Sequence, residues 1–542
     1  MSWESLNSRE FSNFNNIYHT SGTGAGHQLS ATRLLSSPDG SRHPLDGFNH
    51  GWPWNDSYSS LHRDMYTEVR VPRPSICTLG CFYACRAKLK HSLAKRKVDQ
   101  GLKLYNQHKQ QQAVRKWKSA LKALRKREDK FSVLGYLYQA YMDWGKYRDS
   151  VDYAHRQLVI SEELDSPNMR AESYLNLARS HQRLGILEKA LAYARHSLYN
   201  EGELCSTAGH VHLTVGSVYL ELAGFNKALD SFQHAHIIAK TVHDPALELQ
   251  VLVGLSELFS RLQDADKSAT YASRAYDLSR SLQLGDLNSR HHRAALLQMA
   301  SALRKQGELG DAHDYCSEAT RLALVSGDQA TYAKSIRIMG DIYRKKSEIN
   351  KAFRQYEAAM GSAASMGDRV IQMESMDGVA RCLEALRLQH KICNCRPLEF
   401  NTRLLEVASS IGAKLLVRSV RLRLSRIYHS LGDENNKLHH ERVGFRLQHD
   451  LDLNCAACGL PYGLEADSLE SLPCAHILHA RCYYELFKRK KKNRTCPECD
   501  RTSSRLFLNS NTDYNPMQFS PVPLSVCSSD SHCTSHQATS SV

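Results

Sequence analysis

The sequence predicts an all-α protein: a superhelix of stacked helical hairpins followed by one small finger held together by metal. Three observations carry this. A pattern of small and aromatic residues recurs through most of the 542-residue chain. Six cysteines and two histidines then crowd into residues 455–499. Finally, 42% of the residues are apolar against 23% charged, so most of the chain can bury a core.

The repeat begins to show near Val98, where Gly- and Asp-marked turns recur at hairpin spacing. Val215, Gly216 and Tyr219, then Ala228, Phe232 and Ala235, fit the tetratricopeptide pattern at positions seven, eight, eleven, twenty, twenty-four and twenty-seven. Leu177, Ala178, His181, Gly185, Ala190 and Ala194 repeat it one step earlier, and Met339, Gly340, Tyr343, Ala352, Tyr356 and Ala359 further on. Ala300, Leu303, Gly307, Ala312 and Ala319 make a fourth copy. Weaker copies surround Gly101/Trp117, Tyr138/Gly145 and Ser256/Phe259, and partial ones follow at Ala380/Leu383 and Ser425/Tyr428/Gly432. Small residues at positions eight and twenty let the two helices of a hairpin approach closely. Aromatic residues at eleven and twenty-four fill the gap to the next hairpin. One hairpin cannot bury its apolar face, so neighbours stack into a superhelix with a concave groove. Strong copies recur every 38 to 44 residues (Ala190, Ala228, Ser268, Ala312, Ala352), so helices or connections longer than those of the 34-residue unit are expected.

The finger is read from its donors. The order is Cys455-x2-Cys458-x15-Cys474-x-His476-x2-His479-x2-Cys482-x13-Cys496-x2-Cys499. Each Cys-x2-Cys turns two thiolates toward one tetrahedral ion, and histidine supplies the remaining nitrogens. Eight donors in this order resemble a RING finger of the two-histidine type. That resemblance implies interleaved sites for two zinc ions. Cys455, Cys458, His479 and Cys482 would hold one, and Cys474, His476, Cys496 and Cys499 the other. Such closed sites are structural, and zinc binding is most of the folding energy of so small a unit. RING fingers also dock ubiquitin-conjugating enzymes. The positions concerned would be Ala457, Leu486, Pro497 and Arg501. Pro497 matches that family. Ala457 replaces a bulkier Ile or Leu, Leu486 replaces Trp, and Arg501 lies one residue late.

The cysteine pattern, six donors in the finger out of 16 in all, fits a reduced compartment rather than a disulfide scaffold. The net charge of +15 is concentrated. Residues 76–130 carry +13 and residues 480–501 carry +5, without aromatics spaced to stack bases, so nucleic acid is not an expected partner. The longest apolar stretch near the front, Ile76–Cys85, is ten residues, against about 20 needed to cross a bilayer. Lys488-Arg489-Lys490-Lys491-Lys492 reads as a solvated loop, with acidic lipid, an acidic partner tail or an import signal as alternatives. Cys393 and Cys395 have no second ligand pair nearby, and Cys527 and Cys533 read as free thiols. No phosphate loop, nucleophile elbow or dinucleotide glycine motif is present.

Tandem repeats of about 40 residues before a two-histidine RING resemble the rapsyn family over residues 98–501. Gln100-Gly101-Leu102-Lys103-Leu104-Tyr105 and Leu472-Pro473-Cys474-Ala475-His476 carry the likeness in detail. The resemblance implies a cytoplasmic scaffold, peripheral on the inner face of the postsynaptic membrane. Its repeat groove would bind cytoplasmic loops of nicotinic acetylcholine receptors. Self-association would cluster them, and the RING region would reach dystroglycan and the cytoskeleton. The alternative is a RING-type ubiquitin ligase whose repeats select substrates.

The family begins Met-Gly and is myristoylated just before its first repeat. This chain begins Met-Ser, with an extension of about 95 residues before that point, so a different anchor is expected. Cys77, Cys81 and Cys85 share one helix face, and Arg86, Lys88, Lys90, Lys95, Arg96 and Lys97 follow. Acylation of these cysteines beside a basic run would supply the two signals that stable anchoring needs. The expected organisation is a disordered extension (1–75), the Cys/basic anchor (76–97), the repeat array (98–440), a linker helix (441–453), the finger (454–502) and a disordered Ser/Thr-rich tail (503–542).

Overall fold

The computed structural model describes residues 78–200, 205–282, 290–451, 453–463, 468–487 and 495–499, all within one compact unit. Eighteen α-helices precede the finger among these residues, and consecutive helices pack as antiparallel hairpins. They are α1 (Thr78–Asn106), α2 (Gln110–Ala123), α3 (Arg127–Asp143), α4 (Tyr147–Glu163), α5 (Pro167–Arg183), α6 (Leu187–Asn200), α7 (Ser206–Glu221), α8 (Phe225–Thr241) and α9 (Pro245–Arg261). The second half adds α10 (Ala265–Ser281), α11 (Arg290–Gln306), α12 (Leu309–Ser326), α13 (Gln329–Lys345), α14 (Ile349–Met366) and α15 (Arg369–Leu388). It ends with α16 (Cys395–Ile411), α17 (Lys414–Ser430) and α18 (Glu434–Asp450). Most have 17 or 18 residues, which accounts for the long repeat step. From α5 to α15 the first helix of each hairpin also touches the first helix of the next, so the odd-numbered helices form one layer of a superhelix.

The small residues sit where the spacing demands them. Ala154, Ala190, Ala228, Ser268, Ala312 and Ala352 are all fully buried. The aromatic rings have a more specific seat. Phe232 on α8 lies between Gly216 of its own hairpin and Gly254 of the next, and a methyl group on either glycine would come within 2.8 Å of the ring. Tyr356 on α14 is clasped in the same way by Gly340 and Gly378, and its hydroxyl donates to Asp341 at 2.6 Å. A second aromatic set meets across four hairpins at a spacing of twelve: Phe259/Tyr271 and Tyr428/His440 stack, while Tyr141/Tyr153 and His181/Tyr193 are tilted. Lysines eight residues beyond the first aromatic cover it, as Lys227 over Tyr219, Lys267 over Phe259 and Lys351 over Tyr343.

The helix breaks follow simple chemistry. Gly327, Gly367 and Gly412 end their helices in the left-handed region. Asp328 and Asp368 then accept the N–H three residues on, capping the next helix. Two boundaries differ from expectation. Helix α1 runs unbroken from residue 78 to 106 across the 97/98 boundary, because Ala94 and Tyr105 bury along one face. Residues 441–450 are the second half of α18, packed along α17, and not a separate linker helix. The partial copies at Ala380 and Ser425 are complete hairpins, α15–α16 and α17–α18. The expectations for residues 1–75 and 503–542, and those for Cys77, Cys527, Cys533, Lys488–Lys492 and Arg501, lie outside the described residues.

The inner layer is bridged by charge. Arg261 pairs with Glu221 (2.9 Å), Glu257 (3.0 Å) and Glu374 (3.6 Å), tying α9 to α7 and α15. Glu374 also reaches Arg337 (3.1 Å), which meets Asp341 (3.2 Å). The expected concave groove is therefore crossed by ion pairs along this stretch. Burial pushes the Glu257 and Asp341 carboxyls up. The neighbouring cations, Arg261 and Lys334 for one and Arg304 and Arg337 for the other, overcome it and leave both at about 2.

Candidate metal centre and its seat on the repeats

Directly after α18 the chain forms a two-stranded antiparallel sheet, β1 (Leu469–Ser471) and β2 (Ile477–His479), and a short helix, α19 (Ala480–Phe487). The first knuckle is closed by Gly459 N–H to the Cys455 carbonyl (2.7 Å) and Cys455 N–H to the Leu460 carbonyl (2.9 Å). In the β1–β2 turn Ala475 takes a φ of +62°, which turns Cys474 and His476 to one side. Cys455, Leu472, Leu478, Cys482 and Cys496 form a core too small to hold the unit alone.

Two sets of donors converge. Cys455, Cys458, His479 and Cys482 form one, and Cys474, His476, Cys496 and Cys499 the other, each with its donor atoms within 4.8 Å of one another. Cys458 Sγ lies 3.3 Å from His479 Nδ1, and His476 Nδ1 lies 3.4 Å from Cys474 Sγ and 3.5 Å from Cys496 Sγ. Tetrahedral zinc, with its usual bonds to sulfur and nitrogen, sets an S···N edge of roughly 3.6 Å. Three-sulfur, one-nitrogen sets at that spacing fit a soft-to-borderline ion of this kind. Glu498 lies 3.6 Å from His476 Nε2, placed to fix the ring with Nδ1 turned toward the sulfurs.

Among the conjugating-enzyme positions, Ala457 and Pro497 are exposed, whereas Leu486 is half-buried against the finger core. Cys81 and Cys85 lie within the backbone of α1. Cys393, in the α15–α16 connection, and Cys395, at the start of α16, are exposed and belong to neither donor set. No described helix is long and apolar enough to cross a membrane.

Sequence reasoning missed where the finger sits. It folds back onto the α9–α10 hairpin. Leu469 N–H donates to Asp264 Oδ2 (2.7 Å), and Asp264 Oδ1 caps α10 by accepting from Lys267 N–H (2.8 Å). Lys267 donates to the Leu469 carbonyl and pairs with Glu470 (2.9 Å). Leu451, Leu469, Ala475 and Ile477 share one apolar cluster with Leu258, Phe259 and Leu262. Asp264 and Lys267 are separated from the finger by about 200 residues, so no local pattern announced the contact.

Stacked helical hairpins closed by a paired Cys/His finger define the class: a helical-repeat protein with a C-terminal metal-finger module. Residues 89–168 match the family model described as the rapsyn N-terminal myristoylation and linker region. The chain is 30% identical over 411 residues to the 43 kDa receptor-associated protein of the synapse of Gallus gallus, and 28% identical over 412 residues to that of Tetronarce californica. Each match covers 76% of this chain and 97% of the relative. The chain belongs to the rapsyn family. Among solved structures, a Rap protein complexed with competence and sporulation factor matches 60% of this chain and 99% of its own, at 11% identity and a TM-score of 0.43. The Cut9–Hcn1 hetero-tetramer of the APC/C matches 68% of each chain at 14% identity and 0.41.

Proposed function

We propose that this protein is a receptor-associated scaffold of the synapse, gathering nicotinic acetylcholine receptors through their cytoplasmic loops and linking them to the cytoskeleton. The observation that carries this reading is the match to 97% of each named relative, which spans repeats and finger together. The repeats offer the binding surface and copies of the chain associate to cross-link receptors, with dystroglycan and cytoskeletal proteins meeting the finger region. Two zinc ions, one in each donor set, hold the finger folded. The protein lies on the inner face of the postsynaptic membrane. In support, α1 exposes Arg86, Lys88, Lys90 and Arg96 beside Leu89 and Leu93, a surface suited to anionic lipid. Acylation at Cys77, Cys81 and Cys85 supplies the second anchor.

The test is receptor distribution in cultured cells expressing acetylcholine receptors with and without this protein. Receptors gathered into patches that coincide with it are expected; receptors left diffuse at adequate expression would refute the client. Hydroxylamine-dependent labelling of a Cys77–Cys85 peptide checks the acyl anchor. The exposure of Ala457 and Pro497 favours a second reading, a RING-type ubiquitin ligase. Ala457→Arg separates the two, because it adds bulk on the surface without touching the core. Clustering that survives while ubiquitin transfer is lost assigns the two activities to different surfaces.

A further inference from the structure

Turns from the first half of the array meet turns from the second half in a regular series. Gln110, at the start of α2, donates to the Ser326 carbonyl at 2.9 Å, beside Gly327. Gly145, in the α3–α4 turn, presses on Met366 at the end of α14. Gly185, in the α5–α6 turn, lies against Arg369 and Ile411. Leu222, after α7, meets Gly412 between α16 and α17. Four successive turns of the first strand thus meet, in order, the three turns α12–α13, α14–α15 and α16–α17 of the second, with the α5–α6 turn lying between the last two. Arg290–Asp143 (2.9 Å) and the cluster of Tyr147, Ala333, Ala363, Met366 and Ile371 hold the same seam from within.

The next position on the first strand is the α9–α10 turn. Among the described residues no tenth hairpin follows α18 to meet it, and the finger takes that place. Gln263 lies against Gly463, while Asp264 and Lys267 hold the backbone of Leu469 on both its N–H and its carbonyl. Leu415 of α17 and Tyr462 of the finger pack on the same cluster, which joins the finger to both strands of the seam. We propose that the finger is a metal-dependent lock on this seam: loaded with zinc it completes the apolar cluster that joins the α9–α10 turn to α17, and unloaded it releases both. This rests on the reading that the two donor sets bind zinc.

The linkage runs in both directions. A finger that folds only with metal can grip Asp264 and Lys267 only with metal, and weakening that grip must in turn weaken metal retention. The consequence for a scaffold is that metal supply sets the stiffness of the surface that meets its clients.

The experiment is amide hydrogen exchange on the full chain, with metal content measured on the same samples. Three preparations are compared: loaded with zinc, stripped by a chelator, and Lys267→Met loaded with zinc. Stripping is expected to speed exchange at least tenfold at residues 261–268 and 411–418, with the centre of α13–α14 unchanged. Lys267→Met is expected to keep two zinc ions and full helical circular dichroism, to speed exchange in the same two segments, and to lose zinc to a chelator several-fold faster. Cys455→Ser, which removes a donor and leaves the contact residues intact, is expected to reproduce the stripped pattern. Zinc that leaves without any change in those segments overturns the lock while leaving the metal reading intact. A chain that binds no zinc overturns the metal reading itself.

Discussion

At the scale of single residues, the decisive feature is a ring held between two glycines. Phe232 and Tyr356 each fill a slot made by glycines 38 residues apart, one on their own hairpin and one on the next. Helices can approach this closely only where a side chain is missing, and the ring takes the space that is left. Tyr356 cannot retreat, because its hydroxyl is tied to Asp341. Gly378→Ala places a methyl within 2.2 Å of that ring. It should destabilise the protein by about 1–3 kcal/mol even though alanine is the better helix former, measured by urea unfolding. Phe232→Ala should cost about 3–5 kcal/mol by the same measurement, through the cavity it leaves. A stable Gly378→Ala variant would show that the slot is looser than this geometry requires.

At the scale of elements, the hairpins form whether or not glycine occupies the turn. Gly145, Gly185, Gly327, Gly367 and Gly412 occupy left-handed positions where glycine carries no steric cost. His108, Ala223, Gln263 and Ser347 occupy equivalent positions without that freedom. Those hairpins form all the same, because their buried faces outweigh one strained residue. Ser347 is exposed, with φ +63°. Ser347→Gly should therefore stabilise the α13–α14 hairpin by roughly 0.5–1 kcal/mol, read as a higher melting temperature. The partial copies at Ala380 and Ser425 became whole hairpins for the same reason, since α15 and α17 bury apolar faces that a strict motif does not count.

At the scale of the whole molecule, buried ionisable groups predict a stepwise response to acid. Burial lowers His212 and His291 to about 4, with His234 and Arg290 adding to the effect. Their stability contribution is complete above the unfolded value near pH 6.5. It is lost as pH falls toward 4, because the unfolded chain takes up protons that the folded one refuses, at most about 1.4 kcal/mol per pH unit for each group. Glu257 and Asp341, held at about 2, add a second loss that begins below about pH 4.4 as the unfolded carboxyls protonate. Unfolding free energies measured from pH 7 to 3 should therefore fall in two stages. His212→Gln should shrink the first, leaving the part due to His291.

The sequence by itself determined the hairpins and the donor sets. Both are written in short-range spacing: small and aromatic residues a fixed number of helical turns apart, and Cys-x2-Cys pairs that share one metal. The tertiary structure alone decided how those units meet. The ion pairs crossing the inner face join Arg261 to Glu374, and the seat of the finger joins Asp264 to Leu469. Such contacts arise from the angle at which each hairpin stacks on the last, a small rotation summed over many repeats. No pair of residues in the chain states that angle, so the seam and its closure by the finger become visible only once the superhelix is built.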